Sequence, residues 1–526
     1  MLSLDFLGKN VLYSIYTTFP KDTVMSKHIL FIYPDFLEAS KYVTTNPPNY
    51  SEGIASLSAS LKAAGHSVSL YHLTYFPEKE QFIETVRRHA PDIIGFTLRT
   101  TIMDSASELI GWLDDELPEI PVMCGGYHPT LAPHDTLSRR GVDMICIGEG
   151  ELQIVKLIDS WERLGKIDTT VQSFWFKQDD GTFIENKIAP YPMNLDELPF
   201  PDLDLFDFPK LAATIINTAE VVVSRGCLYS CTYCSAANVR NAYEDKKHYT
   251  RFRSPENAIQ LLERVLKRQP TIQYLAFNDS ILNVFPEWFD EFAELYKARI
   301  GKKFICNLRF NHMTEDSCRQ LAEMGCYKVT IGLESGNEEF RRKYLKRSMK
   351  NDHMVNVSHW LKQNKIHVNT YNIVGLPHET LELSLETIKI NAKMASDNTV
   401  VAIYYPYPGT RLMEIAEEGG FIDPTADLNA NVHLVMPQYP QHQVRFARIC
   451  FLPLMKKYRK IYQNNTPEVA AKKESRLDRK LLSPLYPHRL VYRYHLRKRK
   501  INRGLRTIAK RFMPTFYNKL RDRRYE

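Results

Sequence analysis

Residues 220–234 read EVVVSRGCLYSCTYC, a run of β-branched residues followed at once by three cysteines, Cys227, Cys231 and Cys234. Valines favour a β-strand, so the pattern predicts a strand that ends in a loop carrying three thiols. The chain has nine cysteines, an odd number that is not spread like a disulfide framework. Such clustering indicates metal ligation in a reducing compartment. The other six are interpreted as small buried hydrophobes: Cys124, Cys146, Cys306, Cys318, Cys326 and Cys450.

The spacing of the three cysteines favours an iron–sulfur cluster. A [4Fe–4S] cube normally takes four protein thiolates, so three leave one iron open to a substrate or cofactor. Two alternatives remain: a three-cysteine zinc site and chance crowding in a loop. Zinc usually draws its ligands from two separated pairs, and the sequence has no second CxxC and no HxxxH.

Strand and helix patterns alternate from this loop to TVVAIYYPYPGT at residues 399–410. They make six βα repeats, which predicts an open or partial barrel of the (β/α)6 type rather than an eight-fold one. Functional residues of such a barrel lie at the C-terminal ends of its strands.

The alternation also holds upstream, from HILFIYP at residues 28–34 to DMICIGEGE at 143–151. Continuous apolar strands with helices between them predict a parallel, Rossmann-like sheet. Gly125, Gly126 and Gly148 follow strands, where an open α/β sheet binds ligands, although no GxGxxG is present. A connector follows, with a predicted hairpin that turns at Asp180-Gly181.

Length and composition agree with a multidomain α/β protein. The chain has 526 residues, 44% hydrophobic and 25% charged, which suits about three or four domains of roughly 150 residues each. No apolar run reaches the roughly 20 residues of a membrane helix, and no signal peptide is predicted. We expect the following divisions: an N-terminal extension at 1–25, the Rossmann-like domain at 26–155, the connector at 156–215, the partial barrel at 216–425, and a mainly helical C-terminal region with a basic tail at 426–526.

The positive charge of the chain is confined to this tail. Residues 471–526 carry 19 Lys and Arg against 4 Asp and Glu, whereas residues 1–470 carry 50 against 57. A basic tail with interleaved aromatic residues is typical of a segment that binds nucleic acid or an anionic membrane surface. A solvated helical extension packed on the barrel is the third interpretation.

The cysteine motif resembles that of the radical S-adenosylmethionine (SAM) enzymes, CxxxCxxC with an aromatic residue before the last cysteine, here Tyr233. The resemblance implies that the thiolates hold a [4Fe–4S] cluster whose free iron chelates SAM. An injected electron then yields a 5′-deoxyadenosyl radical. The segments FNDS (277–280), GLESG (332–336), GLP (375–377) and PYPGT (406–410) are similar, in the same order, to the family's SAM-contacting loops. The implied SAM contacts are Tyr233, Asn278, Asp279, Glu334, Ser335, Gly375 and Pro408.

The N-terminal half resembles the cobalamin (B12)-binding domain that precedes this barrel in one branch of the family. The similar segments include GIASLSASLKAAGHSV (53–68), VMCGGYHPT (122–130) and ICIGEGE (145–151). None of the 16 histidines has Asp two places before it, so the cobalt-binding Asp-x-His-x-x-Gly motif is absent. His128 and His134 are therefore interpreted as loop or capping residues rather than cobalt ligands. The implied cobalamin contacts are Thr97, Gly125, Gly126, His128, Gly148 and Glu149.

The expected activity is that of a cobalamin-dependent radical SAM methyltransferase acting on an unactivated carbon of a small-molecule or lipid-type substrate. Two alternatives stay open: an oxidative cyclase or rearrangement enzyme with the same cofactors, and a cobalamin-free enzyme that modifies RNA. The expected electron donor is a low-potential flavodoxin or ferredoxin. We expect a cytoplasmic protein whose tail touches an anionic membrane surface, with nucleic acid the less favoured partner. The sequence names no catalytic side chain.

Overall fold

The computed structural model describes residues 26–36, 48–422 and 432–513. The predicted extension at 1–25 lies outside the described residues, as does the predicted boundary at 425. Two sheets and a helical C-terminal region make up the described chain, which confirms the predicted fold class.

The first sheet has seven strands in the order β2-β1-β3-β4-β5-β6-β7. Its strands are β1 (His28–Pro34), β2 (Ser67–Leu73), β3 (Ile93–Thr97), β4 (Val122–Gly125), β5 (Met144–Cys146), β6 (Phe174–Lys177) and β7 (Phe183–Glu185). Its helices are α1 (Glu52–Ala63), α2 (Lys79–His89), α3 (Met103–Glu116), α4 (Tyr127–Leu131), α5 (Pro133–Ser138) and α6 (Glu151–Leu164). Strands β1 to β5 pair in parallel, and helices cover both faces of this part of the sheet.

Alternating side chains of β1 show why the first sheet has two cores. Leu30 and Ile32 pack into the apolar cluster on one face, while Ile29 and Phe31 pack into the cluster on the other. A strand that is buried on both faces reads as a continuous apolar run, as HILFIYP does. The hairpin of β6 and β7 pairs antiparallel with β5, so the sheet continues past residue 155.

The second sheet has six parallel strands in sequential order, β15-β14-β13-β12-β11-β8. Its strands are β8 (Thr218–Val221), β11 (Tyr274–Phe277), β12 (Lys303–Leu308), β13 (Cys326–Glu334), β14 (His367–Val374) and β15 (Asn398–Ile403). Between β8 and β11, the short strands β9 (Ser224–Arg225) and β10 (Arg251–Phe252) form a separate two-stranded ribbon. The helices around the second sheet are α7 (Ala212–Ile215), α8 (Ser235–Asn241), α9 (Pro255–Arg268), α10 (Pro286–Arg299), α11 (Glu315–Glu323), α12 (Glu338–Leu345), α13 (Asn351–Gln363), α14 (Leu381–Lys393) and α15 (Arg411–Glu418). Six strands in sequential order form the expected partial barrel.

Three helices complete the described chain: α16 (Gln441–Gln463), α17 (Pro467–Leu482) and α18 (His488–Phe512). Helix α16 packs against α14 through a buried apolar cluster that includes Phe446, Cys450 and Phe451. Helix α18 lies against α16 and carries ten Lys and Arg and no acidic residue. Within the described residues, every helix is too short or too polar to cross a membrane.

Candidate active site

The three predicted cluster cysteines lie on one loop at the mouth of the barrel. Strand β9 ends at Arg225, and Gly226 follows with a φ of +86°. A Cβ at this glycine would meet the Tyr249 carbonyl oxygen at 2.3 Å, so the loop needs a residue without a side chain there. Cys231 is buried, Cys227 is partly buried, and Cys234 leads directly into α8. All nine cysteines are free thiols, as the sequence predicts.

Asp279 fixes the strand that leads into this loop. Its Oδ1 accepts hydrogen bonds from the backbone N–H groups of Val223 and Ser224, at 3.0 and 2.6 Å, and from the Ser224 hydroxyl. Burial raises the pKa of the Asp279 carboxyl to about 6, although these hydrogen bonds oppose the rise. Its Oδ2 is buried without a hydrogen-bond partner. The side chain predicted to contact SAM therefore also positions β9.

Two buried arginines face the sulfur of Cys231. Arg309 Nη1 lies 3.3 Å from this sulfur, and Arg347 Nη1 lies 3.6 Å from it. Among the described residues, neither arginine has a carboxylate within 4.0 Å. Burial raises the pKa of Cys227 and Cys234, and the neighbouring Cys231 raises both further. Three cysteine sulfurs on one loop beside two buried cations fit the ligation of an anionic iron–sulfur cluster.

The sulfur spacing speaks against the zinc alternative. Three thiolates on one tetrahedral zinc, each at about 2.3 Å, would lie within roughly 4 Å of one another. In the part of the chain that the structure describes, three ligand atoms come within 4.8 Å of one another only in the group of His66, Asp159 and Glu162. The wider spacing of the cysteines matches a cluster better than a single ion.

Tyr233 and Glu334, two predicted SAM contacts, meet beside the cysteine loop. The Tyr233 hydroxyl lies 3.2 Å from Nη1 of Arg347. Glu334 ends β13 with a φ of +69°, a conformation that is strained for any residue other than glycine. Burial raises the pKa of the Glu334 carboxyl, and the charge of Arg347 partly offsets the rise. The structure thus brings an acid, a phenol and a guanidinium to one point at the strand ends.

The other predicted SAM contacts are more dispersed. Asn278 is exposed and donates to Glu220 Oε1 at 3.2 Å, whereas Ser335 is fully buried behind Glu334. Gly375 follows β14 with a φ of +77°, and Pro408 lies in the turn that follows β15. Asn278 lines the cavity described next, as Asp279 does, but Gly375 and Pro408 do not.

A cavity of about 430 Å³ lies between the first sheet and the barrel. On one side it is lined by the ends of β3, β4 and β5, and on the other by residues 224–226 and 278–280. Phe31, Phe96, Met123 and Ile154 give it an apolar wall. The cavity therefore joins the ligand edge of the first sheet to the base of the cysteine loop.

Five of the six predicted cobalamin contacts line this cavity: Thr97, Gly125, Gly126, Gly148 and Glu149. A Cβ at Gly125 would meet nothing closer than Cys146 Cβ, at 3.9 Å, so this glycine leaves open space for a ligand. His128 is the exception. Its ring is buried outside the cavity, with Nδ1 3.2 Å from Thr100 Oγ1 and Nε2 2.9 Å from Asp135 Oδ2. Both ring nitrogens lie within hydrogen-bond distance of a neighbouring side chain, so His128 packs within its domain.

An ion network that the sequence did not reveal ties the two domains together. Arg225 Nη1 lies 2.9 Å from Glu149 Oε2, and its Nη2 lies 2.5 Å from Glu151 Oε1. Arg251, on the paired strand β10, also contacts Glu149. The Glu149 side chain is therefore engaged by arginines at the edge of the cavity. The arginines and their glutamate partners lie 74–102 residues apart in sequence. The sequence feature that could have indicated this network is the position of Arg225, directly before the cysteine loop.

Comparison with known families agrees with this arrangement of two sites. Residues 45–158 match the family described as B12 binding domain, and residues 221–389 match the Radical SAM superfamily. The first match covers α1 to most of α6, and the second covers the barrel from β8 into α14. The cavity lies between the two matched segments.

Three similar proteins illustrate the range of chemistry. The uncharacterized methyltransferase PH0819 of Pyrococcus horikoshii is 27% identical over 397 residues, which cover 74% of this chain and 83% of that protein. The anaerobic magnesium-protoporphyrin IX monomethyl ester cyclase of Rubrivivax gelatinosus is 24% identical over 397 residues, 73% of this chain and 69% of the cyclase. The structure of the radical SAM methyltransferase TsrM of Kitasatospora setae, with cobalamin and a [4Fe–4S] cluster bound, has a TM-score of 0.61 at 17% identity and covers 77% of this chain and 81% of TsrM. The likeness to TsrM shows a shared fold.

Proposed function

The chain is a radical SAM enzyme whose catalytic domain follows a B12-binding domain, and we propose that it methylates an unactivated carbon of a small-molecule or lipid-type substrate. The observation that carries the proposal is the shared cavity, because a methyl donor and a substrate radical must meet in one space. Residues of both predicted cofactor sites line it, Gly125 and Gly126 from one domain and Asn278 from the other.

The residues present fit the cofactors that this function requires. Cys227, Cys231 and Cys234 would hold the [4Fe–4S] cluster, and the open space at Gly125 would receive cobalamin. When bound, the cluster supplies the electron that cleaves SAM to a carbon radical, and cobalamin supplies the methyl group.

Side chains of this chain orient the reactants and exclude water. Tyr233, Glu334 and Arg347 present hydroxyl, carboxylate and guanidinium groups that can bind the polar groups of SAM. The apolar wall around Phe96 and Met123 keeps water from a radical formed in the cavity.

A cyclase is the second candidate function. The similarity to the Rubrivivax cyclase extends over 73% of this chain, almost as far as the similarity to the Pyrococcus methyltransferase. Both reactions begin with the 5′-deoxyadenosyl radical. They differ in whether the methyl group of SAM is transferred to the substrate. For either reaction, the proposed electron donor is a low-potential flavodoxin or ferredoxin.

We place the basic C-terminal region at an anionic membrane surface. Helix α18 combines its ten cationic residues with apolar side chains that point outward, Leu490, Tyr494 and Ile501, which are 67%, 62% and 63% exposed. Their spacing, i, i+4 and i+11, puts them on one face of the helix. This combination is typical of helices that lie in the headgroup region, and it makes a lipid-type substrate reasonable.

Anaerobic reconstitution followed by iron, sulfide and cobalt analysis tests the two cofactor sites. We expect about four irons per chain and near-stoichiometric cobalt, with the iron lost in the variant C227A/C231A/C234A. G125F should fill the cavity, abolish cobalt binding and leave the iron unchanged. G111F is the matched control, since Gly111 also has open space around it but lies on α3, outside the cavity lining.

The outcomes separate the candidate functions. Iron without cobalt would overturn the cobalamin-dependent proposal and favour an enzyme that modifies RNA, and absence of iron would exclude radical chemistry. With both cofactors bound, SAM carrying a deuterated methyl group distinguishes the remaining two. Methylation moves the label into a component of a lipid or small-molecule extract, whereas cyclisation releases 5′-deoxyadenosine without transfer of the label.

A further inference from the structure

Arg309 is held against the cysteine loop by contacts to an amide, a sulfur and an aromatic ring. It follows β12 and is 4% exposed. Its Nε donates to Asn311 Oδ1 at 3.0 Å, its Nη1 lies 3.3 Å from Cys231 Sγ, and its guanidinium stacks 3.5 Å above the ring of Tyr229. Tyr229 belongs to the cysteine loop itself, so the loop supplies both the aromatic face and the sulfur.

Arg347 reaches the same sulfur from the other side of the barrel mouth. It follows α12 and is 5% exposed. Its Nη1 contacts Cys231 Sγ at 3.6 Å and the Tyr233 hydroxyl at 3.2 Å, while its Nη2 donates to the Gly332 carbonyl. Its Nε is buried and has no hydrogen-bond partner among the residues that the structure describes. Arg347 therefore touches both the sulfur and the aromatic residue of the motif.

Two buried cations need counter-charges: the carboxyl of Glu334 interacts electrostatically with both, and the sulfur of Cys231 contacts both. Burying a charge without a partner costs several kcal/mol. Among the described residues, no carboxylate comes within ion-pair distance of Arg309 or Arg347. Both guanidinium groups instead converge on the thiol of Cys231. Arginine also keeps its proton in a buried site where lysine would lose it, so the two positive charges are permanent.

We propose that Arg309 and Arg347 are positioning residues that set the reduction potential of the cluster held by Cys231 and its two partners. This inference rests on the proposed function, because it requires the cluster. On reduction, the cluster accepts one electron from the low-potential protein donor and becomes more negative by one charge. No proton moves, because both guanidinium groups are already protonated. Positive charge and hydrogen bonds at a cluster sulfur stabilise the reduced form, so the two arginines raise the potential.

An anaerobic redox titration of the reconstituted full-length protein, followed by electron paramagnetic resonance, measures this effect. For R309Q we expect the ratio of reduced to oxidised cluster at a fixed potential to fall about tenfold, a shift of about 59 mV for one electron. R347Q should shift the potential in the same direction. R309K loses the planar contact with sulfur and ring, and a buried lysine gives up its proton more readily than arginine, so its potential should lie between those of the wild type and R309Q.

Arg240 provides the matched control. It also holds the cysteine loop, but its Nη1 donates to the carbonyl oxygens of Cys227 and Leu228, at 3.2 and 2.9 Å, rather than to a sulfur. R240Q should shift the potential less than R309Q does, because the charge of Arg240 acts on Cys227 more weakly than that of Arg309 and makes no contact with a sulfur. A purely structural role for Arg309 would change iron retention and leave the potential of the retained cluster unchanged.

Iron and sulfide content, measured first, separates failure of this inference from failure of the proposed function. A wild-type protein without a cluster would contradict the function itself. Clusters retained in R309Q and R347Q at the wild-type potential would overturn the role of the arginines. If the glutamine variants lose iron, the lysine variants test the proposal instead. Cluster reduction potentials equal to the wild-type value in both R309K and R347K would overturn it.

Discussion

Glu379 shows how a single buried acid holds a predicted cofactor loop. Its Oε2 accepts from the backbone N–H groups of Gly375 and Leu376, at 2.6 and 3.0 Å, and its Oε1 accepts from the Ser384 hydroxyl at 2.8 Å. Burial raises the pKa of Glu379 from 4.5 to about 7, and these hydrogen bonds oppose the rise. The folded protein therefore binds a proton here that the unfolded chain has already released at pH 6.

This carboxyl should make the protein less stable as the pH rises. Because the folded-state pKa is the higher one, the stabilisation is complete below pH 4.5 and is lost as the pH rises through 7. E379Q removes the titrating group but keeps an oxygen for the two N–H groups. Between pH 5 and 8, the variant should therefore gain about 2 kcal/mol of unfolding free energy relative to the wild type.

Urea unfolding of the cluster-free protein under reducing conditions checks this prediction. The exposed Glu382, in the first turn of α14, supplies the control, and E382Q should follow the wild type at every pH. A constant difference between E379Q and the wild type across this pH range would contradict the assignment.

Residues close together in sequence were predictable, and those brought together by the fold were not. The cysteine loop was evident because Cys227, Cys231 and Cys234 lie within eight residues after a run of valines. The partners of Cys231 were not evident, since Arg309 and Arg347 lie 78 and 116 residues away. A strand-end arginine carries no sequence signal that distinguishes a sulfur contact from an exposed charge.

At the scale of elements, the ribbon of β9 and β10 links the two domains. Each strand contributes one arginine, Arg225 and Arg251, to acids at the end of β5 and the start of α6. Glycine positions after strands indicated which edge of the first sheet borders the cavity, because parallel strands end at one edge. The ribbon itself was not predictable, since two residues per strand leave no periodic pattern.

Breaking this ribbon contact should destabilise the protein strongly. R225M removes the cation and leaves the buried Glu151 without its partner, while Glu149 keeps Arg251, so we expect a loss of about 3–5 kcal/mol in unfolding free energy. The additional change E151M should recover part of the loss. R299Q breaks exposed pairs with Glu256 and Glu263 on the barrel surface and should cost much less, because solvent screens exposed ion pairs. Equal losses in R225M and R299Q, measured by urea unfolding, would refute the role of the ribbon.

The whole molecule combines an acidic body with a basic C-terminal region. Residues 1–470 carry more acidic than basic side chains, and the described helix α18 carries ten basic residues and no acid. The sequence predicted this division of charge. The sequence alone did not decide whether the tail is a solvated extension or a binding surface, because the outward position of Leu490, Tyr494 and Ile501 depends on how α18 packs against α16.

Vesicle sedimentation tests the membrane contact. The protein should bind vesicles that contain phosphatidylglycerol but not vesicles of phosphatidylcholine alone, and binding should weaken as salt is raised. The variant L490S/Y494S/I501S should bind at least about tenfold more weakly while retaining its iron, because it loses buried apolar area. Binding to RNA but not to anionic vesicles would instead support the nucleic-acid alternative.

The shared cavity also has a thermodynamic consequence for the two ligands that we place there. A molecule seated between Gly125 and Asn278 touches walls that belong to both cofactor sites. If occupation of one site changes the affinity of the other, the effect is reciprocal: cobalamin alters the dissociation constant of SAM by the same factor as SAM alters that of cobalamin. The affinity of either ligand is then defined only when the concentration of the other is stated.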